Sequence, residues 1–435
     1  MKLVATGPFE NTYLTINKLL SDADFIARHR QNTQDFTRER TLTFRRLVML
    51  LINQLKGSLQ DELDRFFRVH SPSRLFQRVV TGAALSKARK KLKASAFIEL
   101  NEKSMETFYE EFPLQNRWHG FRLLAVDGSK VELPSDPEVE KKFGLHKTSG
   151  RPMGLLSTLY DLNNRLWLHA ELVPTSIGER ELALEHLKNT RRDDLLIYDR
   201  GYPAFWFFSL HKQAERNFCI RLQRGLFAET DAFFTSGESE AIVQITASKH
   251  SRRKCRHYGV PSSPVNLRLI RVELNSGGVE VLATSLLDSK CHPADLFGDL
   301  YHRRWGHEEG YKHLKMHAEL QNWSGKKLHT IFQDLHAKLL TLNLAAIQEA
   351  AAQILVDQNT KGRKRRYQVN RAQALSQMKD VIVKILDSTS PRSWLRRLVL
   401  SMASNINAIR PGRKFERKHR LGAGVRVRPG YKSGR

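Results

Sequence analysis

The hydrophobic pattern changes character twice along the chain. Up to about residue 115, apolar positions recur at helical spacing, as in Leu47, Leu50, Leu51 and Leu55 and again in Leu63, Phe66 and Phe67. Ser71-Pro72-Ser73 interrupts the series. The stretch LSKARKKLKASAFIELN then reads as a helix with Leu85, Ala88, Leu92 and Phe97 on one stripe. From Phe121 the runs become short and rich in β-branched and apolar residues. FRLLAVDGSKVEL reads as a strand running into a glycine turn, and GLLSTLYD and RLWLHAELV as a hairpin around Asn163-Asn164. LLIYDRGYP and FCIRLQ read as two further strands, with helices over Glu179 to Asn189 and from Pro203 onward. Strand, strand, strand, helix, strand, helix, strand describes a mixed α/β sheet.

Between about 225 and 287 the pattern turns strand-rich again. VQITAS, NLRLIRVEL and VEVLATSLL are broken by Asn275-Ser276-Gly277-Gly278 and by SKHSRRKCRHYG, which reads as a basic loop. Helical periodicity returns from Pro293 to Gln321 and from about His329 to Ile354. The last part contains the run Lys361 to Arg366. It ends in the Gly- and Arg-rich RPGRKFERKHRLGAGVRVRPGYKSGR, read as disordered or ordered only on binding.

Charge narrows the range of partners. The 435 residues include 72 Lys plus Arg against 45 Asp plus Glu, a net +27 that calls for a polyanion, most simply nucleic acid. Lys87, Arg89, Lys90, Lys91 and Lys93 put five cations into seven residues with no acid between them. That reads as a helix lying on phosphates rather than a merely solvated face. The 3 cysteines, Cys219, Cys255 and Cys291, exclude a disulfide scaffold, lack zinc-site spacing and fit a reducing cytoplasm. Near the N-terminus the longest apolar run is Leu47 to Ile52, far short of the roughly 20 residues of a spanning helix. The first residues do not resemble a signal peptide.

Three carboxylates go against the basic trend. Asp127 follows the apolar run Leu123 to Val126, and Asp199 follows Leu195 to Tyr198. A carboxylate at the end of a buried strand is costly unless paired, hydrogen-bonded or bound to metal. The bland alternative is an Asp that hydrogen-bonds its own turn. The third, Glu308, lies in YHRRWGHEEGYKHLK. On one continuous helix, Tyr301, Arg304, Glu308 and Lys315 would share an arc of about 60°. An ion-paired surface helix would also place Arg304 and Glu308 four residues apart. Three distant carboxylates suit a pair of hard divalent ions about 4 Å apart, which can serve displacement at a phosphodiester. Arg304, Lys312 and Lys315 would hold the substrate phosphates.

Asp127 in VDGS, Asp199 in YDRGY and the spaced set Tyr301, Arg304, Glu308 and Lys315 together resemble the bacterial DDE transposases of the insertion-sequence-4 family. The likeness covers roughly residues 40 to 350. It extends to the LSKAR stretch and to Ala283 to Asp288, but not to the C-terminal tail. The resemblance implies a ribonuclease H-like mixed sheet with helices, a β-rich insertion and a helical N-terminal domain. Asp127 would then lie on the first strand, Asp199 on the fourth and Glu308 on a helix against the sheet. It implies a helical DNA-binding domain over 1–115, a catalytic domain in two parts over 116–224 and 288–356, an insertion over 225–287 and a basic tail over 357–435.

In function it implies cleavage at both element ends by two Mg²⁺ ions held by Asp127, Asp199 and Glu308, with Mn²⁺ able to substitute. A DNA hairpin would follow, and then joining to target DNA. Tyr301, Arg304 and Lys315 would contact phosphates. Lys312, Trp305, Arg200, Tyr202 and the Lys87, Arg89, Lys90, Lys91, Lys93 cluster are further candidate DNA contacts. Trp305 and Trp323 are candidate platforms for a flipped base, although core packing would account for either. Partners would be double-stranded DNA and a second copy of the chain in a synaptic homodimer, in the bacterial cytoplasm at the nucleoid. The competing readings are a DNA-binding protein that has lost catalysis and a nuclease of the same fold without strand transfer.

Overall fold

The computed structural model describes residues 7–38, 40–53, 56–70, 78–112, 116–274 and 277–410. The break at Ser71-Pro72-Ser73, part of the turn at Asn275-Ser276 and the Gly- and Arg-rich end from residue 411 lie outside the described residues. Six helices come first: α1 (Gly7–Leu19), α2 (Ala23–His29), α3 (Phe44–Ile52), α4 (Leu59–His70), α5 (Gly82–Arg89) and α6 (Ser95–Glu111). Next are β1 (Arg122–Glu132), α7 (Pro137–Phe143), β2 (Met153–Asp161), β3 (Leu166–Pro174), α8 (Glu179–Leu187), β4 (Asp194–Tyr198), α9 (Phe205–Gln213) and β5 (Asn217–Arg221). Then come α10 (Ala228–Ser236), β6 (Glu240–Ile245), α11 (Lys249–Tyr258), β7 (Val265–Glu273), β8 (Val279–Thr284), α12 (Leu296–His302) and α13 (Trp305–Lys312). A π-helical turn (His313–His317), α14 (Leu328–Asn359), β9 (Tyr367–Val369), α15 (Arg371–Met378), α16 (Val381–Asp387), α17 (Arg392–Ser404) and β10 (Ile406–Ala408) follow within the described residues.

Eight strands make one sheet in the order β3-β2-β1-β4-β5-β8-β7-β6. β4 runs parallel to both β1 and β5, and all five of its residues are buried. A strand covered on both faces reads as an unbroken apolar run, which is why LLIY is legible as a strand. The expected α/β class, a mixed sheet with helices and a helical N-terminal region, is the one observed. The strand-rich segment forms its three strands but is no separate sheet. β8 pairs antiparallel with β5 through Cys219–Thr284, Ile220–Ala283 and Arg221–Leu282, and β7 and β6 continue from it. Extension in this way satisfies a β5 edge that would otherwise be unpaired. The segment expected as a basic loop is instead the helix α11. Ser248 Oγ caps it by accepting from Ser251 N, Cys255 is buried and the Tyr258 ring stacks on Trp206 at 4.1 Å. Its cations outnumber and mask that inward face.

The chain divides into two compact units: residues 114–130 with 155–311, and residues 1–113, 131–154 and 312–435. The first of these holds most of the sheet and an apolar core that includes Leu124, Val126, Leu196, Tyr198, Phe207 and Phe218. The second is mainly helical. Its α14 has the length and apolarity of a membrane-crossing helix, but 78% of the apolar window is buried, and it packs on α3, α6, α15 and α17.

Three expectations change in this helical unit. Lys87 to Lys93 do not lie on one long helix. α5 ends at Arg89, and the chain turns by way of a bridge between Arg30 and Leu92 before α6 begins. Arg89 is buried, so it is not available to a phosphate. Its guanidinium donates to Gln333, Ser324, the Thr330 carbonyl and, at 2.8 Å, Asp334. Residues 367–408, expected as part of a basic tail, are folded. Leu395, Leu398, Val399 and Met402 form the buried face of α17, and β9 pairs with β10. Trp323 is also buried, with Nε1 donating to the Glu132 carbonyl at 3.0 Å, so core packing accounts for it.

Candidate active site

The paired register of β1 and β4 brings two aspartates together. Arg122 lies opposite Asp194, Leu123 opposite Leu195, Leu124 opposite Leu196 and Ala125 opposite Ile197. The offset is 72 residues throughout (194 − 122 and 197 − 125), and two residues further on it carries Asp127 to the level of Asp199. Adjacent strands lie about 4.8 Å apart, so the two carboxylates leave neighbouring backbones. The register is pinned at the far end by Arg122, which donates to both oxygens of buried Asp194 at 2.7 and 2.8 Å. A slip of one residue would break that bidentate pair and send the side chains to the wrong face.

Backbone amides hold both aspartates. Asp127 Oδ1 accepts from Gly128 N at 2.9 Å, and Asp199 Oδ1 accepts from Gly201 N at 2.7 Å. Glu308, on α13, does not point at them freely. Its Oε1 accepts from Arg304 at 2.9 Å, and the same guanidinium lies 3.9 Å from Asp127 Oδ2. Arg304 thus stands between two of the three acids as an internal counter-ion. Its Nε is buried without a hydrogen-bond partner among the described residues. The guanidinium also lies over the rings of Tyr301 (5.9 Å) and Trp305 (5.8 Å).

The single helical arc expected for Tyr301, Arg304, Glu308 and Lys315 does not form. α12 stops at His302 and α13 starts at Trp305. The joint is tightened by three-residue hydrogen bonds from Arg304 N to Tyr301 O, Gly306 N to Arg303 O and His307 N to Arg304 O. Tyr301 is therefore on α12, Arg304 in the joint and Glu308 on α13. Tyr301 and Tyr202 are buried, whereas Trp305 and Arg200 are exposed. A buried Tyr202 packed on Tyr198 (5.1 Å) is core rather than an exposed DNA contact. Lys312 and Lys315 belong to the helical unit. Lys312 is exposed, and Lys315 is half-buried in the π turn, where desolvation lowers its pKa.

Residues 118–344, just over half of the chain, match the family described as the transposase DDE domain. The chain belongs to this family. The transposase InsG for insertion sequence element IS4 of Escherichia coli (strain K12) is 27% identical over 277 residues, 62% of this chain and 61% of InsG. The InsZ protein of the same strain is 26% identical over 123 residues, 27% of this chain and 41% of InsZ. The matches thus span less than two thirds of either relative. A solved structure titled as a cryo-EM structure of the piggyBac transposase synaptic complex with hairpin DNA has a TM-score of 0.46 at 10% identity. That likeness covers 90% of this chain and 85% of the other. The resemblance to insertion-sequence-4 transposases rests on the family match and on InsG.

Within this DDE domain one acid escapes the sequence reading. Glu179, the first residue of α8, looks like an ordinary acid favoured at a helix N-terminus. In the fold its charge acts on the β1 aspartate, and a Cβ on Gly128 would lie 2.5 Å from Glu179 Oε1, so any larger residue there would push the Glu179 carboxylate aside. Burial, with the added repulsion of Asp199, raises the pKa of Glu179. Asp127 is raised to about 6, chiefly by burial. Asp199 and Glu179 push in the same direction, against Gly128 N and Arg304. Glu179 has no sequence signature that sets it apart from other helix-starting acids.

These acids fit a hard divalent cation by chemistry: oxygen donors, more negative charge than Arg304 can offset and one carboxylate held partly protonated near neutral pH. Among the described residues no three His, Cys, Asp or Glu side chains are already grouped at metal-holding distance. The ion pair of Glu308 with Arg304 is the contact that would have to give way.

Proposed function

We propose that the protein is the transposase of an insertion sequence. In this reading it binds the terminal inverted repeats, cleaves both strands at the element ends by way of a DNA hairpin and joins the ends to target DNA. The observation that supports this best is the side-by-side register of Asp127 and Asp199, with Glu308 one arginine away. Asp127, Asp199 and Glu308 are the metal-holding catalytic residues. Two Mg²⁺ ions, or Mn²⁺ in their place, would supply activation of the attacking oxygen and stabilisation of the leaving oxygen. Arg304 neutralises phosphate charge once released from Glu308, and Tyr301 supports its guanidinium from below. Trp305, about half exposed, offers a stacking face for an unpaired base. Arg200 contacts phosphates near the scissile bond, and Lys312 and Lys315, on the helical unit, contact DNA phosphates as well.

Sequence-independent grip comes from Lys87, Lys90, Lys91 and Lys93 on the helical unit. Lys87 and Lys91 line a cavity of about 940 Å³ together with Arg38 and Arg40. The exposed cations of α11, among them Arg252, Arg253 and Arg256, supply more. Holding two ends at once calls for a homodimer, acting in the bacterial cytoplasm at the nucleoid. The test is incubation with a DNA fragment bounded by the element's terminal repeats, Mg²⁺ and a target plasmid. Transposition predicts double-strand release of the ends and their covalent joining to the plasmid. Nicking without joining would leave a nuclease, and binding without cleavage even in Mn²⁺ would leave a DNA-binding protein.

A further inference from the structure

Beneath Asp127 a chain of buried polar groups links the strands to α13. The Tyr311 hydroxyl lies 2.9 Å from the Asp127 carbonyl and 3.0 Å from the Leu156 carbonyl. Thr158 Oγ1 lies 2.9 Å from the Tyr311 hydroxyl and 2.8 Å from His307 Nε2. Thr158, His307 and Tyr311 are all buried. The direction of the chain follows from counting protons. Carbonyls only accept, so the single Tyr311 proton goes to the fork between Asp127 and Leu156. The Thr158 proton must then go to the Tyr311 oxygen, and Thr158 can only accept from His307. His307 is therefore the Nε2–H tautomer, and its Nδ1 has no hydrogen-bond partner among the described residues.

The surroundings leave this chain little freedom. The His307 ring is stacked between Tyr160 (5.2 Å, 8°) and Tyr311 (4.9 Å, 16°). A Cβ on Gly310 would lie 3.1 Å from the Tyr160 ring and 3.3 Å from Trp167, so glycine lets α13 settle close on β2 and β3. Glu308 directly follows His307 on this helix, and Asp127 carries the carbonyl that receives the last proton of the chain.

We propose that Tyr311, Thr158 and His307 are positioning residues: their hydrogen-bond chain fixes the height of the Glu308 helix against the Asp127 strand and so sets the spacing of the two acids. The proposal rests on the reading of Asp127 and Glu308 as metal-holding acids. Removing one hydroxyl lets the helix shift while both acids remain, and losing a group that holds metal ligands in place typically weakens metal binding about 10- to 100-fold.

The test measures Mn²⁺ binding to the full chain without DNA, by calorimetry, for the wild type and for Asp127→Asn, Tyr311→Phe, Thr158→Val and Thr158→Ser. Tyr311→Phe and Thr158→Val should each bind Mn²⁺ at least about tenfold more weakly, with DNA binding in the absence of metal unchanged. Thr158→Ser, which keeps the hydroxyl, should restore wild-type affinity, a rescue that a mere packing role would not give. If Asp127→Asn loses Mn²⁺ while Tyr311→Phe and Thr158→Val bind as the wild type does, the positioning role falls and the site reading stands. If Asp127→Asn itself binds normally, the site reading falls first. Should Tyr311→Phe fail to fold, the Thr158 pair decides alone. Nitrogen NMR of His307 supplies a second check: an Nδ1–H tautomer would overturn the chain as drawn.

Discussion

Two arginine–carboxylate groups in this protein solve opposite problems. Arg89 and Asp334 are both buried and fully answered. Arg89 reaches Gln333, Ser324 and the Thr330 carbonyl as well as Asp334, while Asp334 also accepts from Ser324 N and Oγ. Burial opposes the charge on Asp334, but Arg89, Lys338 and the Ser324 hydrogen bonds outweigh it and the pKa is lowered. Arg304 and its acids are left unbalanced. One guanidinium serves Asp127 loosely and Glu308 closely, its Nε is unanswered, and Asp127 is pushed up to about 6. A charged group that is complete in itself holds a fold together. One with surplus negative charge costs stability until a proton or an added cation offsets it.

That contrast can be broken by experiment. Asp334→Ala should strand buried Arg89 and cost about 3–5 kcal/mol, seen as a large fall in melting temperature or loss of the folded protein. Asp127→Asn, Asp199→Asn or Glu308→Gln should do the reverse, losing roughly 10³-fold or more in cleavage rate, about 4 kcal/mol of transition-state stabilisation, with no loss of folding stability. Equal destabilisation in both sets would erase the distinction.

The pH dependence sharpens it. A raised Asp127 pKa favours the folded state fully below the ordinary carboxylate range, and that contribution is lost as pH rises through about 6. Asp127→Asn should therefore gain stability relative to the wild type between about pH 4 and pH 7, by up to about 3 kcal/mol, read from denaturation midpoints without metal. A parallel pH profile for the two proteins would contradict the shift. The smallest effect is expected from the surface. Changing Lys87, Lys90, Lys91 and Lys93 together to Gln should flatten the slope of log affinity for DNA against log salt by roughly 0.9 per lost phosphate contact, with little change in melting temperature.

How legible these features are in the sequence depends on what competes with the apolar signal. Asp127 and Asp199 can be located because each ends a run too apolar to be anything but a covered strand. The pattern gives β6, β7 and β8 as strands, but not their continuation of the main sheet, since partner choice across sequence leaves no local mark. α11 reads as a loop because one buried cysteine and one tyrosine cannot outweigh so many cations. Arg89 reads as surface for the same reason: its four partners come from a segment some 240 residues away (333 − 89 = 244). The helical arc around Glu308 fails because a wheel assumes an unbroken helix, and the break at Arg303 and Arg304 depends on local hydrogen bonds rather than on proline or glycine punctuation.

The parallel pairing of β1 with β4 has a consequence for how the protein comes into being. Parallel neighbours cannot be made by a hairpin, so Asp127 must wait for 72 more residues before Asp199 arrives beside it. Glu308, with Arg304, emerges only after the segments that form β5 to β8 of the same sheet have been made. A ribosome that stalls, or a message cut short, anywhere in that interval releases a chain that carries the aspartates without the glutamate. Domains acquire structure as their segments are synthesised, N-terminal parts first. The spacing of the acids along the gene thus has a consequence in time: Asp127, Asp199 and Glu308 are first present on one chain only after the last strand of the main sheet has been made.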